Sequence, residues 1–306
     1  MKGEGLVGQD HLQPLTPAIN SFKYQGLSTS LLTKPISKAV VSVSVACYAR
    51  AQGYEFRIII STDFTKQCKH KDVYLRRHCV VAEILPNYHT ILYIDADMGV
   101  VNPKKIEDYI DSDTEIAFFD RFYNWEIAAG SYIVRNSEWS RRFLRGFANF
   151  EYRLPDHYHG TDNGALHAYL AEILFSKTRK SELAFCLHIY YNLKSYEDLF
   201  TFEACIKQML GMFTKIGNIQ IYKKGSFISY LVFFPQGTAW VRDNWMTNSK
   251  WSPDRDFMLH NWKIVQLRLH GPSKGEWFNP FKGQIDLDLF VFLVNETVSR
   301  DRRPMC

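Results

Sequence analysis

The chain has 306 residues, of which 46% are hydrophobic and 15% aromatic, so it can bury a substantial core and is not a disordered chain. Its 37 basic and 32 acidic residues leave a formal net charge of +5 without a dense basic stripe, which argues against a nucleic-acid partner. It contains neither a run of about 18 apolar residues nor the apolar centre of a signal peptide, so we expect no membrane span.

Apolar periodicity predicts alternating helices and strands. Helices are predicted over residues 37–52, 72–85, 106–110, 136–150, 160–174 and 196–212, and strands over 54–61, 90–94, 115–119, 131–134, 219–222, 239–241 and within 257–269. This alternation, without an internal repeat, predicts a single α/β domain over residues 37–290. An irregular arm over residues 1–36 precedes it, and a tail over residues 291–306 follows.

The predicted strand over residues 90–94 ends at two carboxylates, Asp95 and Asp97, separated by one small residue. Like charges at this spacing repel, and burying them is costly unless a cation compensates. Mn²⁺ and Mg²⁺ prefer such ligands and leave positions for phosphate oxygens. Because ligands bind at the carboxyl ends of strands in α/β sheets, the pattern predicts a metal–diphosphate site. The alternative is a solvated acidic turn followed by a cap at Asn102.

Three other places carry residues of matching chemistry. Gly130 opens a predicted strand, where a glycine would let a ligand or backbone approach closely, although an ordinary turn also explains it. Asp162 and Asn163 begin a predicted helix, where they could hold hydroxyls or an anion, and Thr161 or Asp162 could simply cap that helix. Arg76 and Arg77, on the helix over residues 72–85, are either phosphate or base contacts or solvated charges.

The last candidates lie near the carboxyl end. Histidine is a frequent ligand for Mn²⁺-like ions, and a lysine on a glycine-bounded loop is a natural phosphate partner. These candidates are His260, His270, Gly271 and Lys274.

Six cysteines occur without a C-x-x-C spacing, which argues against a zinc or thioredoxin-type site. Cys47 and Cys79 lie in apolar patterns and are predicted to be core thiols. A disulfide among the other cysteines is left open.

The order and spacing of these segments resemble the GT-A fold glycosyltransferases, in particular the retaining enzymes of the glycogenin and lipopolysaccharide galactosyltransferase type. The resemblance extends to galactosyl-, mannosyl- and xylosyltransferases and is nearest to an uncharacterised nematode family of nucleotide-diphospho-sugar-transferase-like domains. LYIDADMGVVNP is similar to the D-x-D strand and turn, AAGSYIVRNSEW to the N-A-G strand segment, GTDNGALH to D-Q-x-x-L, and HGPSKGEW to H-x-x-G-x-x-K-P-W. The implied fold is a Rossmann-like mixed sheet flanked by helices. Neither the family's first strand nor its membrane anchor is recognisable in residues 1–35.

The resemblance also implies a role for each candidate residue. Asp162 and Asn163 would face the reacting sugar. The implied ligands of Mn²⁺ or Mg²⁺ are Asp95, Asp97 and either His260 or His270, and the implied nucleotide-sugar contacts are Lys274, Gly271, Gly130, Arg76 and Arg77.

The implied activity is metal-dependent transfer of a hexose or pentose from a nucleotide-diphosphate sugar to a glycan or glycoprotein, with retention of configuration. The implied location is the Golgi or secretory lumen. Two alternatives stay open: a GT-A-shaped protein that binds nucleotide-sugars or glycans without transfer, and a metal-dependent phosphohydrolase. Residues 122–126 and 189–195 are expected to select the substrate, and Trp125 either stacks on a sugar or packs in the core.

Overall fold

The computed structural model describes residues 37–121, 124–211, 215–222, 239–243 and 256–260, with residues 37–43 described as backbone alone. Contacts within the chain define two units, Met1–Pro35 and Ile36–Cys306, and all described residues belong to the second. The predicted domain limits stay a prediction.

The described helices and strands alternate along much of the chain. The α-helices are α1 (Ser37–Gln52), α2 (Val73–Ile84), α3 (Glu138–Asn149), α4 (Thr161–Phe175), α5 (Lys180–Tyr190) and α6 (Tyr196–Leu210). The strands are β1 (Thr90–Ile94), β2 (Gly99–Val100), β3 (Ile116–Phe119), β4 (Ser131–Arg135), β5 (Lys215–Ile216), β6 (Ile219–Tyr222), β7 (Val241–Asp243) and β8 (Met258–His260). Short 3₁₀ turns lie between several of them.

Two sheets organise these strands. The larger has the order β1-β4-β3-β6-β5, in which only the β3–β6 pair is parallel, and the smaller has the order β2-β8-β7, in which only the β7–β8 pair is parallel. The turn after β1 contains Asp95 and Asp97 and leads directly into β2 of the smaller sheet. The predicted α/β class, a mixed sheet flanked by helices, is therefore confirmed.

The larger sheet separates two apolar clusters because side chains alternate between the faces of a strand. In β3, Ile116 and Phe118 pack into the cluster shared with helices α2 to α6, whereas Ala117 and Phe119 pack on the opposite face with α1 and the smaller sheet. Burial on both faces explains why this strand reads as a continuous apolar run. The larger sheet is thus covered on both faces, and the acidic turn follows the carboxyl end of its edge strand β1.

Local capping determines where several helices begin. Asp72 accepts hydrogen bonds from the backbone N–H groups of Tyr74 and Leu75 and starts α2. Ser195 and Asp198 form a reciprocal capping box at the start of α6. These caps satisfy N–H groups that have no partner within the helix. Consequently α2 begins at a defined residue and places Arg77 and His78 one turn further along.

The structure corrects parts of the predicted pattern. Residues 54–60 form no strand, because no described strand pairs with them, and Ser61–Phe64 is a 3₁₀ turn. The helix α5 was not predicted, nor were the two-residue strands β2 and β5. The strand predicted at residues 239–241 begins at Val241. No described helix is long and apolar enough to cross a bilayer.

The prediction of core thiols is wrong. Cys79 is bonded to Cys68, Cys186 is bonded to Cys205, and Cys47 is also in a disulfide. The first bond ties the segment before α2 to α2 itself, and the second joins α5 to α6. Thiol pairing in three dimensions is not encoded in sequence spacing, which explains the error.

Reduction of these bonds is expected to destabilise the protein. Each bond closes a short loop, with sequence separations of 11 and 19 residues. Loss of such a constraint costs roughly 3 kcal/mol per bond through the entropy of the unfolded chain. Urea unfolding with and without a phosphine reductant measures this, with mass spectrometry of alkylated thiols as the control for reduction. An unchanged midpoint in fully reduced protein would contradict the expectation.

Candidate active site

The position of Asp95 depends on the glycine opposite it. The register of β1 with β4 aligns Ile94 with Ser131, so Asp95 lies beside Gly130. A Cβ atom at Gly130 would lie only 2.5 Å from Oδ2 of Asp95, closer than nonbonded atoms approach. The group that approaches this glycine closely is the Asp95 carboxylate, whereas the approach of a ligand or backbone stays a prediction. Any larger residue at position 130 would displace the carboxylate.

Arg77 joins two carboxylates that are distant in sequence. Its Nη1 atom is 2.5 Å from Oδ1 of Asp95, its Nε atom is 3.1 Å from Oδ2 of Asp162, and its Nη2 atom also contacts Asp162. The guanidinium carbon lies 5.5 Å from the ring centre of Tyr74 and 5.7 Å from that of Tyr93. Arg77 is thus a largely buried cation that compensates two acids, a role that its position on a helix did not predict.

His78 supports Asp162 from the other side. Its Nε2 atom is 3.2 Å from Oδ2 of Asp162, and its Nδ1 atom is 3.2 Å from the hydroxyl of Tyr132. Burial lowers the pKa of His78 to about 4, so the ring is neutral at pH 7. Burial alone would raise the pKa of Asp162, but Arg77 and His78 outweigh it and hold that pKa below its ordinary value. Asp162 is therefore ionised, and the Nε2–H of His78 donates to it.

The pKa of Asp95 is shifted in the direction opposite to that of Asp162. Burial raises the pKa of Asp95, and the nearby Asp162 adds to that shift against the opposing effect of Arg77. The hydroxyl of Tyr93 donates to Oδ1 of Asp95 over 3.0 Å. Two carboxylates flanking one guanidinium thus have pKa values displaced in opposite directions, an arrangement typical of functional sites.

The start of α4 directs Asp162 and Asn163 towards the same place. Gly160 and Thr161 both have positive φ angles, +69° and +54°, and Gly160 occupies the cap position without a side-chain bond. The prediction that Thr161 or Asp162 caps this helix is therefore wrong. A positive φ is unfavourable for threonine and is typical of strained functional segments. Oδ1 of Asn163 accepts the backbone N–H of Ala129 over 2.9 Å, which connects this turn to the segment before β4.

His260, at the end of β8, is oriented by a second charge network. Its Nδ1 atom is 2.8 Å from Oδ1 of Asp243, and its Nε2 atom is 3.5 Å from Oδ1 of Asp97. Arg121 donates to both oxygens of Asp243 and to Glu126. A carboxylate that accepts a hydrogen bond from one ring N–H fixes the direction in which the other ring nitrogen points, as is common for metal-ligating histidines. The imidazole therefore faces the D-x-D turn.

These elements enclose one open cavity of about 220 Å³. Its walls come from α2, the D-x-D turn, the segment before β4, the start of α4, and strands β7 and β8. Six of the residues predicted from the sequence line it, namely Arg77, Asp95, Gly130, Asp162, Asn163 and His260. Segments separated by more than half of the chain thus meet at one cavity.

The remaining predicted residues lie elsewhere. Asp97 is not among the lining residues but adjoins the cavity through His260. Arg76 points away from it, and its Nη1 donates to the carbonyl of His70 over 3.3 Å. His270, Gly271 and Lys274 lie outside the described residues.

The donor set matches a hard divalent cation in kind, because it combines two carboxylates with an oriented imidazole. Within the described ranges, no group of at least three His, Cys, Asp or Glu side chains is arranged to hold a metal ion. Oδ1 of Asp95 accepts from Arg77 and Tyr93, while Oδ1 of Asp97 faces His260. The residues thus fit such an ion by chemistry, and Asp97 with His260 are the pair that face each other.

Several contributing residues were not found by the sequence reasoning. His78, Arg121, Glu126 and Asp243 hold the candidate residues in place, and each is buried or nearly so. The sequence feature that could have identified them is a charged or polar residue within an otherwise apolar segment. Only His78, on the helix over residues 72–85, and Glu126, in the loop over residues 122–126, lay in segments to which a role was assigned.

Glu203 on α6 is a fully buried acid near this network. Neither of its carboxylate oxygens has a hydrogen-bond partner. Burial raises the pKa of Glu203 to about 9, and the neighbouring Glu126 contributes to the shift. The folded protein therefore holds a proton on Glu203 at pH 7 that the unfolded chain releases above its ordinary pKa of 4.5.

The variant Glu203→Gln is expected to stabilise the protein at neutral pH. Because the folded pKa is raised, the wild type loses stability as pH rises from the unfolded pKa towards the folded one, roughly 3 kcal/mol by pH 7. The glutamine variant lacks this loss, so the two unfolding free energies should converge near pH 4 and diverge above it. Urea titrations over that range measure the difference. Parallel pH profiles would contradict the expectation.

Comparison with known proteins completes the description of the chain. No curated protein matches its sequence. Among solved structures, a crystal structure of a glycosyltransferase involved in the glycosylation of the major capsid of PBCV-1 is similar at 18% identity and a TM-score of 0.33, over 44% of this chain and 70% of that one. A family model described as a protein of unknown function, DUF273, matches residues 45–274. Since this match spans most of the chain and includes the whole cavity, the chain belongs to the DUF273 family.

Proposed function

We propose that this protein is a metal-dependent glycosyltransferase that moves a hexose or pentose from a nucleotide-diphosphate sugar to a glycan or glycoprotein acceptor. The observation that supports it is the meeting of the D-x-D turn, Asp162 with Asn163, and His260 at one cavity. A solvated acidic turn, the alternative explanation of the D-x-D pattern, would not need a buried arginine and an oriented histidine around it.

Asp95, Asp97 and His260 would hold Mn²⁺ or Mg²⁺ in this proposal. Lewis-acid stabilisation of the leaving diphosphate is the chemistry that such an ion supplies when bound. Asp243 keeps the Nε2 atom of His260 directed at Asp97, because it accepts the hydrogen on Nδ1. Lys274 and His270 stay predicted diphosphate and metal contacts beyond the described residues.

Asp162 and Asn163 would face the reacting sugar. Asp162 is ionised and held by Arg77 and His78, so its charge is available to stabilise positive charge that develops at the anomeric carbon. Oδ1 of Asn163 is bound to Ala129, which fixes the amide at the cavity wall. We propose retention of configuration, as the resemblance implies.

A non-catalytic binding protein is the second candidate. The observation that favours it is the pairing of Arg77 with both Asp95 and Asp162. Because this cation already compensates two of the acids, their retention does not require a bound metal ion. In that case the cavity would bind a nucleotide-sugar or glycan without transfer.

Calorimetric titration of UDP and GDP tests the diphosphate site, first with Mn²⁺ and then with excess chelator. We expect metal-dependent binding in the wild type and its loss in the double variant Asp95→Asn/Asp97→Asn. Asp113→Asn, at a largely exposed acid paired with Lys215, is the matched control and should bind as the wild type does. Absence of binding by folded wild-type protein would overturn the proposal.

Turnover separates the two candidate functions. Incubation with radiolabelled UDP-sugars and glycan acceptors should release nucleoside diphosphate and place label on the acceptor. Metal-dependent binding without any turnover would favour the binding protein. Release of free phosphate would instead indicate a phosphohydrolase.

We further propose that the protein works in the Golgi or another part of the secretory lumen. The disulfides Cys68–Cys79 and Cys186–Cys205 support this, because such bonds persist in oxidising compartments and are rare in the cytosol. Thiol labelling of the protein taken directly from its source cells tests the idea. Fully reduced cysteines at these positions would argue against it.

A further inference from the structure

The backbone amides of residues 127–129, in the segment before β4, point alternately to two neighbours. Ala128 donates its N–H to the carbonyl of Phe119 in β3 over 2.9 Å. Ile127 and Ala129, on either side of it, donate instead to two side chains of α4. Buried N–H groups need acceptors, and beside an extended segment these usually come from a second strand. Here a helix supplies them through its side chains.

The two acceptors lie four residues apart on α4, so they share one face of the helix. Oδ1 of Asn163 accepts the N–H of Ala129 over 2.9 Å, and Nε2 of His167 accepts the N–H of Ile127 over 3.0 Å. We refer to Asn163 and His167 as the α4 clamp. Because a backbone N–H can only donate, the atoms that face it must be the amide oxygen of Asn163 and an unprotonated nitrogen of His167.

His167 uses both of its ring nitrogens. With Nε2 unprotonated, the neutral ring carries its hydrogen on Nδ1, which donates to the backbone carbonyl of Asn163 over 2.8 Å. His167 is fully buried, and so are its neighbours Leu166 and Ala168. An imidazole is costly in such surroundings unless its nitrogens are bonded. The contribution that an apolar side chain could not make is therefore this pair of hydrogen bonds, which connects Asn163 to Ile127.

The clamp determines which part of Asn163 a ligand can contact. Its amide oxygen is committed to Ala129, and no described residue accepts a hydrogen bond from its Nδ2 group. Asn163 is half-buried and lines the cavity. The NH₂ group is therefore what Asn163 offers to a bound molecule, and its natural partner is an acceptor oxygen such as that of a hydroxyl.

The clamp also holds one wall of the cavity. Glu126, Ala128 and Gly130 alternate with the two clamped residues, and all three line the cavity. Gly130 is the residue that leaves room for the Asp95 carboxylate. The clamp thus connects this wall to the start of α4, which carries Asp162.

We propose that His167 is a positioning residue for sugar transfer. It fixes the wall segment and Asn163 relative to each other, so that the NH₂ group of Asn163 donates to an oxygen of the substrate. This inference rests on the proposed glycosyltransferase function and extends it to a residue that does not itself line the cavity. The alternative is a buried histidine that contributes to stability alone.

The variant His167→Leu removes both hydrogen bonds of the ring and leaves the N–H of Ile127 without this acceptor. We expect kcat to fall by about 10–10²-fold, the effect of misplacing groups at a reaction centre, with a smaller change in KM for the donor. His167→Gln can place an oxygen near the position of Nε2, so its kcat should lie closer to that of the wild type. Steady-state kinetics give these values, with rates expressed per site that binds UDP so that unfolded protein is not counted.

Hydrogen exchange in peptides that cover residues 126–130 tests the clamp without any substrate. The amides of Ile127 and Ala129 should exchange about tenfold faster or more in His167→Leu than in the wild type. His70→Leu is the matched control, because His70 is buried, its Nε2 is 3.0 Å from Oδ1 of Asn149, and it does not line the cavity. This control should change neither kcat nor exchange over residues 126–130.

A double-mutant cycle with Asn163→Ala separates positioning from stability. If His167 acts through Asn163, the two substitutions together should lower kcat by less than the product of their separate effects. Wild-type kcat in folded His167→Leu, fully multiplicative effects, or an equal loss of kcat in His70→Leu would each overturn the proposal. A wild type that neither binds UDP nor transfers sugar would instead count against the glycosyltransferase function, and the exchange rates would then decide alone whether the clamp holds the wall.

Discussion

The variant Arg77→Ala is expected to lose about 3–5 kcal/mol of unfolding free energy, the cost of removing one partner from a buried ion pair. Asp162 is almost fully buried, and Arg77 contacts it and Asp95 together. Without the guanidinium these carboxylates would repel each other with only His78, Tyr93 and their neighbours to stabilise them. Urea unfolding at pH 7 measures the loss.

The dependence of this loss on pH identifies its cause. Removal of Arg77 should raise the pKa values of both carboxylates, so in the folded variant they would become protonated at a higher pH than in the wild type. The deficit relative to the wild type should therefore shrink as pH falls from 7 towards 4. Arg142→Ala, which removes an exposed pair with Glu138, is the control and should cost less than about 0.5 kcal/mol. A deficit of that small size at Arg77 would show that the three charges are not coupled.

The variant Arg77→Lys separates the effect of positive charge from that of the guanidinium geometry. A lysine keeps the charge but cannot contact two carboxylates with a planar fork. We expect an intermediate stability, because one of the two acids would lose its direct partner. Full stability in the lysine variant would indicate that charge alone, rather than the fork geometry, holds Asp95 and Asp162.

The variant Asp162→Asn is expected to lower kcat for sugar transfer by about 10²–10³-fold, the effect of removing one preorganised group that stabilises charge in a transition state. The amide keeps the size of the side chain but loses the negative charge that Arg77 and His78 hold in place. If the carboxylate acts mainly at the reacting sugar, KM for the donor should change much less than kcat. Steady-state kinetics with a UDP-sugar that the wild type uses give both values.

Two controls accompany this measurement. Asp156→Asn replaces an exposed acid shortly before α4 and should leave kcat unchanged. Circular dichroism and urea unfolding of Asp162→Asn establish that the folded fraction is sufficient for kinetics. A folded Asp162→Asn variant with wild-type kcat would remove Asp162 from the reaction and leave it a structural role beside Arg77.

The candidate site was predictable where its chemistry lies in short segments. Asp95 and Asp97 follow a short apolar strand, which is half-buried in the structure, and Asp162 and Asn163 lie at the start of an apolar helix. The strand-end position and the helix start are local features, so the sequence located both. His260 was a candidate because it is a histidine, whereas the orientation of its ring depends on Asp243, which carried no comparable signal.

The two adjacent arginines of α2 have different roles, which the sequence did not distinguish. Arg76 and Arg77 are adjacent on α2, and nothing in the local pattern distinguishes them. The packing of α2 against the sheet turns Arg77 towards Asp95 and Asp162, and Arg76 towards the carbonyl of His70. A side chain one position further along a helix is rotated by about 100°, so only the packing decides which arginine enters the cavity.

By itself the sequence determined the α/β class, most of the helices and strands, and the D-x-D turn, because periodicity, caps and strand-end residues act over short distances. The tertiary structure alone decided the pairing of cysteines, the absence of a strand at residues 54–60, and the exposure of Trp125. It also decided that Arg77 joins acids from two distant segments. These features depend on contacts between segments far apart in the chain, and such contacts leave no periodic signal in either segment.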